Sequence, residues 1–217
     1  LPIGAVSIIA IALVAATGVT NPDSTKGAIN DALSGFSNNL IWLIGISIMV
    51  SMSLNKTGLG ARIGYYFISL FGKKTIGIAY SLAIAETILA PVTPSNTARG
   101  GGIIHPIMRS IADSFDSKPE EGTSGKIGRY LSLVNYNINP ITSAMFITAT
   151  APNPLIVSLI IGETGPENEL TWSMWAIAAF VPAIVSLFLM PIVIYFLYKP
   201  EITHTPNAPH FAKERLA

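Results

Sequence analysis

Apolar residues run along this chain in stretches of membrane length, and two of those stretches are interrupted from within. Residues 1–19, 39–54, 130–161 and 171–198 are mostly apolar, and a helix needs about 20 such residues to cross a hydrocarbon core. A fifth run, 75–97, carries one charged side chain, Glu86, and ends in Pro94-Ser95-Asn96-Thr97 followed by Gly100 to Gly102. The third run, which is over-long, is broken by Thr148-Ala149-Thr150-Ala151-Pro152-Asn153-Pro154. Unwound backbone at membrane depth survives only where protein or a water-filled cavity satisfies its N–H and C=O groups, and in transporters that place is usually a binding site. The pattern therefore predicts an all-α, polytopic membrane protein with one helix turning back as a re-entrant hairpin and another broken in its middle.

The polar segments set the expected orientation. Residues 20–38, with Asn21-Pro22-Asp23, Lys26, Asp31 and Ser34-Gly35, read as a connecting loop. Residues 56–74 carry Lys56, Arg62, Lys73 and Lys74 and no acid. Leu59, Ile63, Tyr66, Phe67 and Leu70 recur there at helical spacing, which predicts an amphipathic helix lying in the interface. Trp172 and Trp175 mark another interface. By the excess of Lys and Arg in cytoplasmic loops, 56–74 is cytoplasmic, and Glu163 to Glu169, with three acids and no base, is external. A single crossing by 75–97 would place Arg109, Lys118, Lys126 and Arg129 outside. A hairpin entering near Thr75, turning at Ser95-Asn96-Thr97 and returning by Phe115 keeps both basic segments on one side. The expected organisation is thus 1–74, scaffold-type helices and the interfacial helix; 75–162, a transport-type region with hairpin 75–115, cytoplasmic loop 116–129 and broken helix 130–162; and 163–217, an external loop, a spanning helix and a cytoplasmic tail.

Composition agrees: 50% hydrophobic and 12% charged residues, with mean hydropathy +0.54, lie far from the roughly 25% charged of soluble domains. There is no cysteine, which removes thiolate metals and disulfides from consideration. The first residue is not Met and no basic n-region with a cleavage site precedes 1–19, so that run reads as a span and not a signal peptide, and the chain as an internal piece of a longer protein. No Gly-x-Ser-x-Gly elbow, His-Glu-x-x-His, phosphate-binding Gly-x-x-x-x-Gly-Lys or nucleic-acid module occurs, so an enzyme is not expected. A passive anion channel competes from another class, because helix N-termini on re-entrant loops also line pores.

Residue types at the breaks suggest their chemistry. Ser95, Asn96 and Thr97 offer hydroxyl, amide and carbonyl groups at consecutive positions, and Pro94 drives Thr93 out of helical geometry. The half-helix after Thr97 presents its positive N-terminus to an anion, with Gly100 and Gly101 allowing close approach. Pro152 and Pro154, flanking Asn153, free carbonyls around Ala149, Thr150 and Ala151. Hard oxygen donors without a carboxylate cluster suit an alkali ion better than calcium or a transition metal.

At these residues the chain resembles the divalent-anion:sodium symporter (DASS) family. TPSNTARGGGIIHPI, TATAPNPLIV and the ending FLYKPEITH are most similar to its bacterial branch of citrate/succinate antiporters, tartrate/succinate antiporters and 2-oxoglutarate/malate translocators. The resemblance covers nearly the whole chain. It implies half of an inverted-repeat carrier for di- and tricarboxylates in the inner (plasma) membrane, dimeric, moving a transport domain against a scaffold. It also implies substrate contacts from Ser95, Asn96 and Thr97, and Arg99 joins them as a substrate-binding candidate by its own chemistry. Where sodium is used, the resemblance implies a cation site at Ser95, Asn96 and the backbone of Ala149, Thr150 and Ala151, supported by Gly100, Gly101, Pro152 and Asn153. Sodium-coupled members commonly have a neutral residue where Arg99 stands, and the antiporter branch resembles this chain in having Arg. No organic cofactor or nucleic-acid partner is implied.

An intramembrane arginine is a functional hypothesis by default, and guanidinium suits bidentate carboxylate binding. A fixed cation that cannot leave would make an empty return costly and exchange obligatory; alternatively Arg99 snorkels to water from the hairpin arm. Glu86 is open to pairing with Arg99, to pairing with a helix N-terminus, or to proton coupling. His105 reads as a packing or hydrogen-bonding histidine. Asn135, Tyr136, Asn137 and Asn139 suit either a cavity lining or helix-to-helix hydrogen bonds.

Overall fold

The computed structural model describes residues 2–216, and within helices the side chains of Leu40, Ser47 and Asn55 are not described. Among the described residues the regular structure is helical, and the chain divides into two compact units, residues 1–46 and 47–217.

The first unit holds α1 (Ile3–Thr17) and α2 (Thr25–Leu33), which pack on each other, then a 3₁₀ turn, Ser34–Ser37, and the start of α3 (Asn39–Thr57). Residues 20–38, expected as a loop, thus contain a two-turn helix. Its start signal was Ser24, whose hydroxyl accepts the Gly27 N–H at 3.0 Å, an N-cap that satisfies one of the orphan donors of a first turn. Leu1, the first residue of the expected span 1–19, lies outside the described residues. Ile3, Ile8, Ile9, Leu13, Ile41 and Trp42 are exposed, a surface suited to lipid or to a partner and not to water.

The second unit begins within α3 and contains α4 (Leu59–Phe71), α5 (Thr75–Leu89), α6 (His105–Ser114), α7 (Gly128–Met145), α8 (Pro152–Thr164), α9 (Trp172–Leu197) and α10 (Ala208–Leu216). By length and composition, 75–92 and 172–197 can each cross a membrane. α4 runs antiparallel to α5, with the Ser81 hydroxyl donating to Phe67 O at 3.0 Å. The chain then breaks and returns. A Cβ on Gly60 would meet Ile103 at 2.7 Å, and one on Gly64 would meet Ile107 at 2.7 Å, so the returning arm runs alongside α4 and antiparallel to α5. This is the helical hairpin expected from Pro94 and the glycines. Inside lipid, apolar burial supplies little drive for helix association, and small residues that let helices approach do much of it; Gly60 and Gly64 supply that here.

α4 forms where the amphipathic helix was expected, and it packs on a face other than the apolar stripe. It buries Gly60, Gly64, Tyr65 and Ile68, whereas Leu59, Tyr66 and Leu70 of the expected apolar stripe are exposed. Glycine defines the packing face because two neighbours approach there, which a hydropathy pattern does not register.

α7 runs antiparallel to the returning arm and α9 antiparallel to α7: the Trp175 indole donates to Ala144 O at 2.9 Å near one end, and the Tyr130 hydroxyl to Pro191 O at 3.0 Å near the other. The expected tail is packed structure. Thr75 N donates to Thr203 O at 3.1 Å, Glu201 N to Gly125 O at 3.1 Å and the buried Thr205 hydroxyl to Gly72 O at 2.6 Å. Tyr65 and Phe211 meet edge to face at 6.4 Å, and α10 lies along α4. The segment after α9 therefore ties together the ends of α4, α5 and the 116–127 loop.

Candidate functional site

Both expected breaks exist. α5 stops at Leu89, passes through a 3₁₀ turn, Ala90–Val92, and becomes extended at Thr93 (φ −121°, ψ 94°). That is the geometry a following proline imposes. The return does not start as an α-helix: Thr97–Ile104 forms a π-helix before α6. π-helical stretches are rare and frequent at functional sites, and nothing in the residue pattern foretold it. The second break opens at Phe146, two residues before the expected Thr148, and passes through a 3₁₀ turn, Ile147–Ala149, with Thr150 extended (φ −156°, ψ 148°). α8 restarts at Pro152, which at a first helical position loses no hydrogen bond. Asn153, buried, splints the break: its amide donates to Ser143 O at 2.8 Å and Phe146 O at 2.9 Å.

The two breaks touch. The Thr148 hydroxyl donates to Pro91 O at 2.8 Å. Trp172 stacks on Phe146 at 5.7 Å and donates to the Thr148 hydroxyl at 3.2 Å. Trp172 and Trp175, expected as interface markers, therefore bond to the second break and to the end of α7.

Arg99 joins the breaks from inside. Nη1 donates to Thr93 O at 2.9 Å and to Ala149 O at 3.1 Å, and Nη2 donates to the Thr142 hydroxyl at 3.2 Å and the Ser143 hydroxyl at 2.7 Å. Nε lies 3.6 Å from Glu86 Oε1, with the two side chains 0% and 1% exposed. Arg99 does not snorkel to water, and its guanidinium is turned into the protein. Of the three roles left open for Glu86, the structure displays the pair with Arg99; Oε1 also accepts from Asn139 Nδ2 at 2.6 Å and the Thr142 hydroxyl at 3.2 Å. Burial of such a pair is costly unless its donors and acceptors find partners: Thr93, Ala149, Thr142 and Ser143 receive the two Nη groups and Asn139 donates to Glu86, while the buried Nε faces Glu86 across the ion pair without a hydrogen bond of its own. Thr142 and Ser143 escaped the sequence reading; their spacing of three and four residues from Asn139, on one helix face, was the available signal.

The hairpin tip faces a cleft of about 660 Å³ between the returning arm and α7, lined by Asn96, Thr97, Gly100, Gly101, His105, Ser132, Asn135, Tyr136 and Asn139 among others. None of its lining residues is acidic. His105, expected to pack or to hydrogen-bond, is exposed on its wall. Asn135 and Tyr136 line the cleft as well, while Asn137 donates within its own helix, to Leu133 O at 2.8 Å. Of the motif, Asn96 and Thr97 line the cleft; the Ser95 hydroxyl accepts the Ala98 N–H at 3.2 Å and the Asn96 Oδ1 the Thr97 N–H at 2.9 Å, both capping the return. Gly101 has open space where a Cβ would stand, whereas a Cβ on Gly100 would meet Asn139 Nδ2 at 2.5 Å. Ala149 is buried against Arg99, Thr150 O accepts the Asn153 N–H at 3.2 Å, and Pro152 is exposed. The Ala149 carbonyl accepts from Arg99 and the Asn96 carbonyl from Asn139 Nδ2 at 3.0 Å.

Two touching helix breaks beside a cleft that carries Asn, Thr, Ser and His side chains are the arrangement of secondary transporters built on interrupted helices. The comparisons agree: residues 1–217 match the sodium:sulfate symporter transmembrane region, and the chain belongs to that family. It is 52% identical over 216 residues to the "Putative malate transporter YflS" of Bacillus subtilis, covering 100% of this chain and 43% of that protein. It is 40% identical over 216 residues to the chloroplastic dicarboxylate transporter 1 of Spinacia oleracea (100% and 36%). With the L-tartrate/succinate antiporter of Escherichia coli K12 it shares 37% identity over 192 residues (88% and 39%). The chain thus spans about two fifths of the length of these curated relatives. By family and by name these are transporters and not enzymes.

Proposed function

We propose that this chain forms most of the N-terminal half of a carrier that exchanges di- or tricarboxylates of the citrate, succinate, malate and 2-oxoglutarate class across the bacterial inner membrane without sodium. The cleft beside Asn96 and Thr97 is its contribution to the substrate site. The hairpin is re-entrant, and both basic segments, 56–74 and 109–129, face the cytoplasm. The hairpin with α7 is the transport-type region, and a second half completes the pocket.

One observation carries the reading: the Arg99 guanidinium holds the carbonyls of Thr93 and Ala149, one from each break. A cation tethered there cannot be exchanged for one from solution. The role of Arg99 then shifts from touching substrate to holding the two breaks together as a resident charge. Glu86 beside it also changes the argument for exchange. The pair is neutral, so an unpaired charge on the empty return is no longer the reason. Electrical work is: moving one charge costs about 2.3 kcal/mol per 100 mV, so a dianion entering a cell at −100 mV meets about 4.6 kcal/mol. A carrier that cannot harvest sodium avoids that work by trading one dianion for another. The named substrates of the dicarboxylate transporters and of the tartrate/succinate antiporter point to the same ligand class.

Sodium-coupled symport is the second reading, favoured by the family's name. The full-length protein in proteoliposomes separates them. Labelled succinate should enter only vesicles preloaded with dicarboxylate, equally in sodium and in potassium. Sodium-driven uptake into empty vesicles would overturn the proposal in favour of symport, and currents persisting without counter-substrate would overturn it in favour of a channel.

A further inference from the structure

Asn139 occupies a position that neither the motif nor the ion pair explains. Its Nδ2 carries two hydrogens, and both are committed: one to Glu86 Oε1 at 2.6 Å, the other to the Asn96 carbonyl at 3.0 Å. Those two acceptors define which end of the amide is nitrogen, an orientation that otherwise has to be assigned from the network. Asn96 is the hairpin tip and lines the cleft, while Glu86 is buried behind it. Asn139 therefore spans from cleft to buried pair, and with its N–H groups spent it cannot donate to a substrate carboxylate.

Its surroundings hold it in that pose. The Asn139 main-chain carbonyl accepts the Ser143 hydroxyl at 2.6 Å, and the single Thr142 hydroxyl proton lies between that carbonyl at 3.0 Å and Glu86 Oε1 at 3.2 Å; both hydroxyls receive Arg99. On the opposite side Gly100 leaves the room the amide occupies, since a Cβ there would stand 2.5 Å from Nδ2 and 3.0 Å from Cγ. The second glycine-cluster residue, Gly101, has no such neighbour within 4 Å. Gly100 is thus required by Asn139, and not by a turn or by positive φ.

We infer that Asn139 is a positioning residue that fastens the substrate-binding turn at Asn96 to the buried Glu86–Arg99 pair, with Gly100 as the space it needs. The inference rests on the carrier reading for its transport consequence and on geometry alone for the fastening. Without Asn139, the tip carbonyl and Glu86 each lose a donor, and the turn that meets substrate is no longer held at one height in the cleft.

Two pairs of substitutions in the full-length protein test it. Asn139→Asp removes both N–H donors and sets a carboxyl group against Glu86 Oε1 and the Asn96 carbonyl; it should raise KM for succinate by about tenfold or more, with a much smaller change in kcat. Glu86→Gln/Asn139→Asp, which exchanges amide and carboxylate, restores a donor and an acceptor between the two positions but leaves the Asn96 carbonyl without a donor, so KM should stay raised severalfold; a return to the parent KM would overturn the fastening of the tip. Gly100→Ala should impair exchange, and Asn139→Ala added to it should relieve part of that loss by removing the clash. The second readout does not need transport. The chain has no cysteine, so in a background freed of reactive thiols Thr97→Cys reports the tip: its maleimide labelling rate should change severalfold on Asn139→Ala and not on Asn137→Ala, whose amide bonds within its own helix. If the parent exchanges succinate but Asn139→Ala does not relieve Gly100→Ala and labelling is unchanged, the inference is overturned. If the parent fails to exchange and the labelling shift persists, the carrier reading fails while the fastening stands.

Discussion

Replacing Arg99 by methionine removes a charge from a place with no water. The side chain is 0% exposed and Glu86 is 1% exposed, so the variant leaves a buried carboxylate without its counter-charge, a change that costs about 3–5 kcal/mol in measured cases. It also strips donors from Thr93 O and Ala149 O, which received Arg99 at 2.9 and 3.1 Å, adding about 1 kcal/mol for each carbonyl left unpaired. Adding Glu86→Gln should recover about 2–3 kcal/mol, because glutamine can still accept from Asn139 and Thr142 but carries no charge, whereas the carbonyls stay bereft. The assay is unfolding in mixed micelles, followed by tryptophan fluorescence; Trp172 and Trp175 sit on the second break and report its loosening directly. A double variant no more stable than Arg99→Met would refute the reasoning, since it would mean that Glu86 is not held by its charge to Arg99.

Four further outcomes are expected. Gly77→Ala, whose Cβ would run into the Phe71 carbonyl, should destabilise clearly more than Gly64→Ala, whose Cβ meets only the terminal Cδ1 of Ile107; overpacking costs about 1–3 kcal/mol where neighbours cannot move, and the same micelle assay ranks the two. Thr205→Ala removes the bond to Gly72 O and should cost about 1 kcal/mol, seen as faster hydrogen exchange across α10; unchanged exchange would mean that the tail is held by side-chain packing. Asn153→Ala should loosen the second break, leaving Ser143 O and Phe146 O without their amide donors, and should quench or shift Trp172 emission, as Trp172 stacks on Phe146. Glu120, in the 116–127 loop, is held below the ordinary carboxylate range by its own backbone N–H and then by Arg109. A depressed carboxylate contributes above its unfolded pKa and loses that contribution as pH falls through the folded value. Carboxyl-carbon NMR should therefore find Glu120 titrating at lower pH than a model glutamate, moving back toward it on Arg109→Gln.

The one-dimensional pattern determined the membrane environment, the helical class and the places where helices fail. Each of those is a local or lipid-imposed property. A proline disfavours helix at the residue before it, as at Thr93, and a long apolar run has no stable place in water, as in 172–197. The motif was also legible, because Ser95, Asn96 and Thr97 are polar where the surroundings are not. Local reasoning misjudged 20–38, where Ser24 capped a helix, and did not register that Gly60 and Gly64 set the packing face of α4.

What Arg99 and Glu86 do was decided by tertiary structure. They stand 13 positions apart on opposite arms of the hairpin, and whether a buried cation faces water, substrate or a carboxylate depends on the path of the chain between them. Thr142, Ser143 and the Ala149 carbonyl arrive from another helix some forty to fifty residues away, and a backbone carbonyl has no residue type to mark it. Asn139 reads the same in sequence as Asn137 two positions earlier. One bonds within its own helix and the other reaches two elements of the site, because the 100° turn per residue of a helix points them in different directions, and only the packed neighbours say what lies in each.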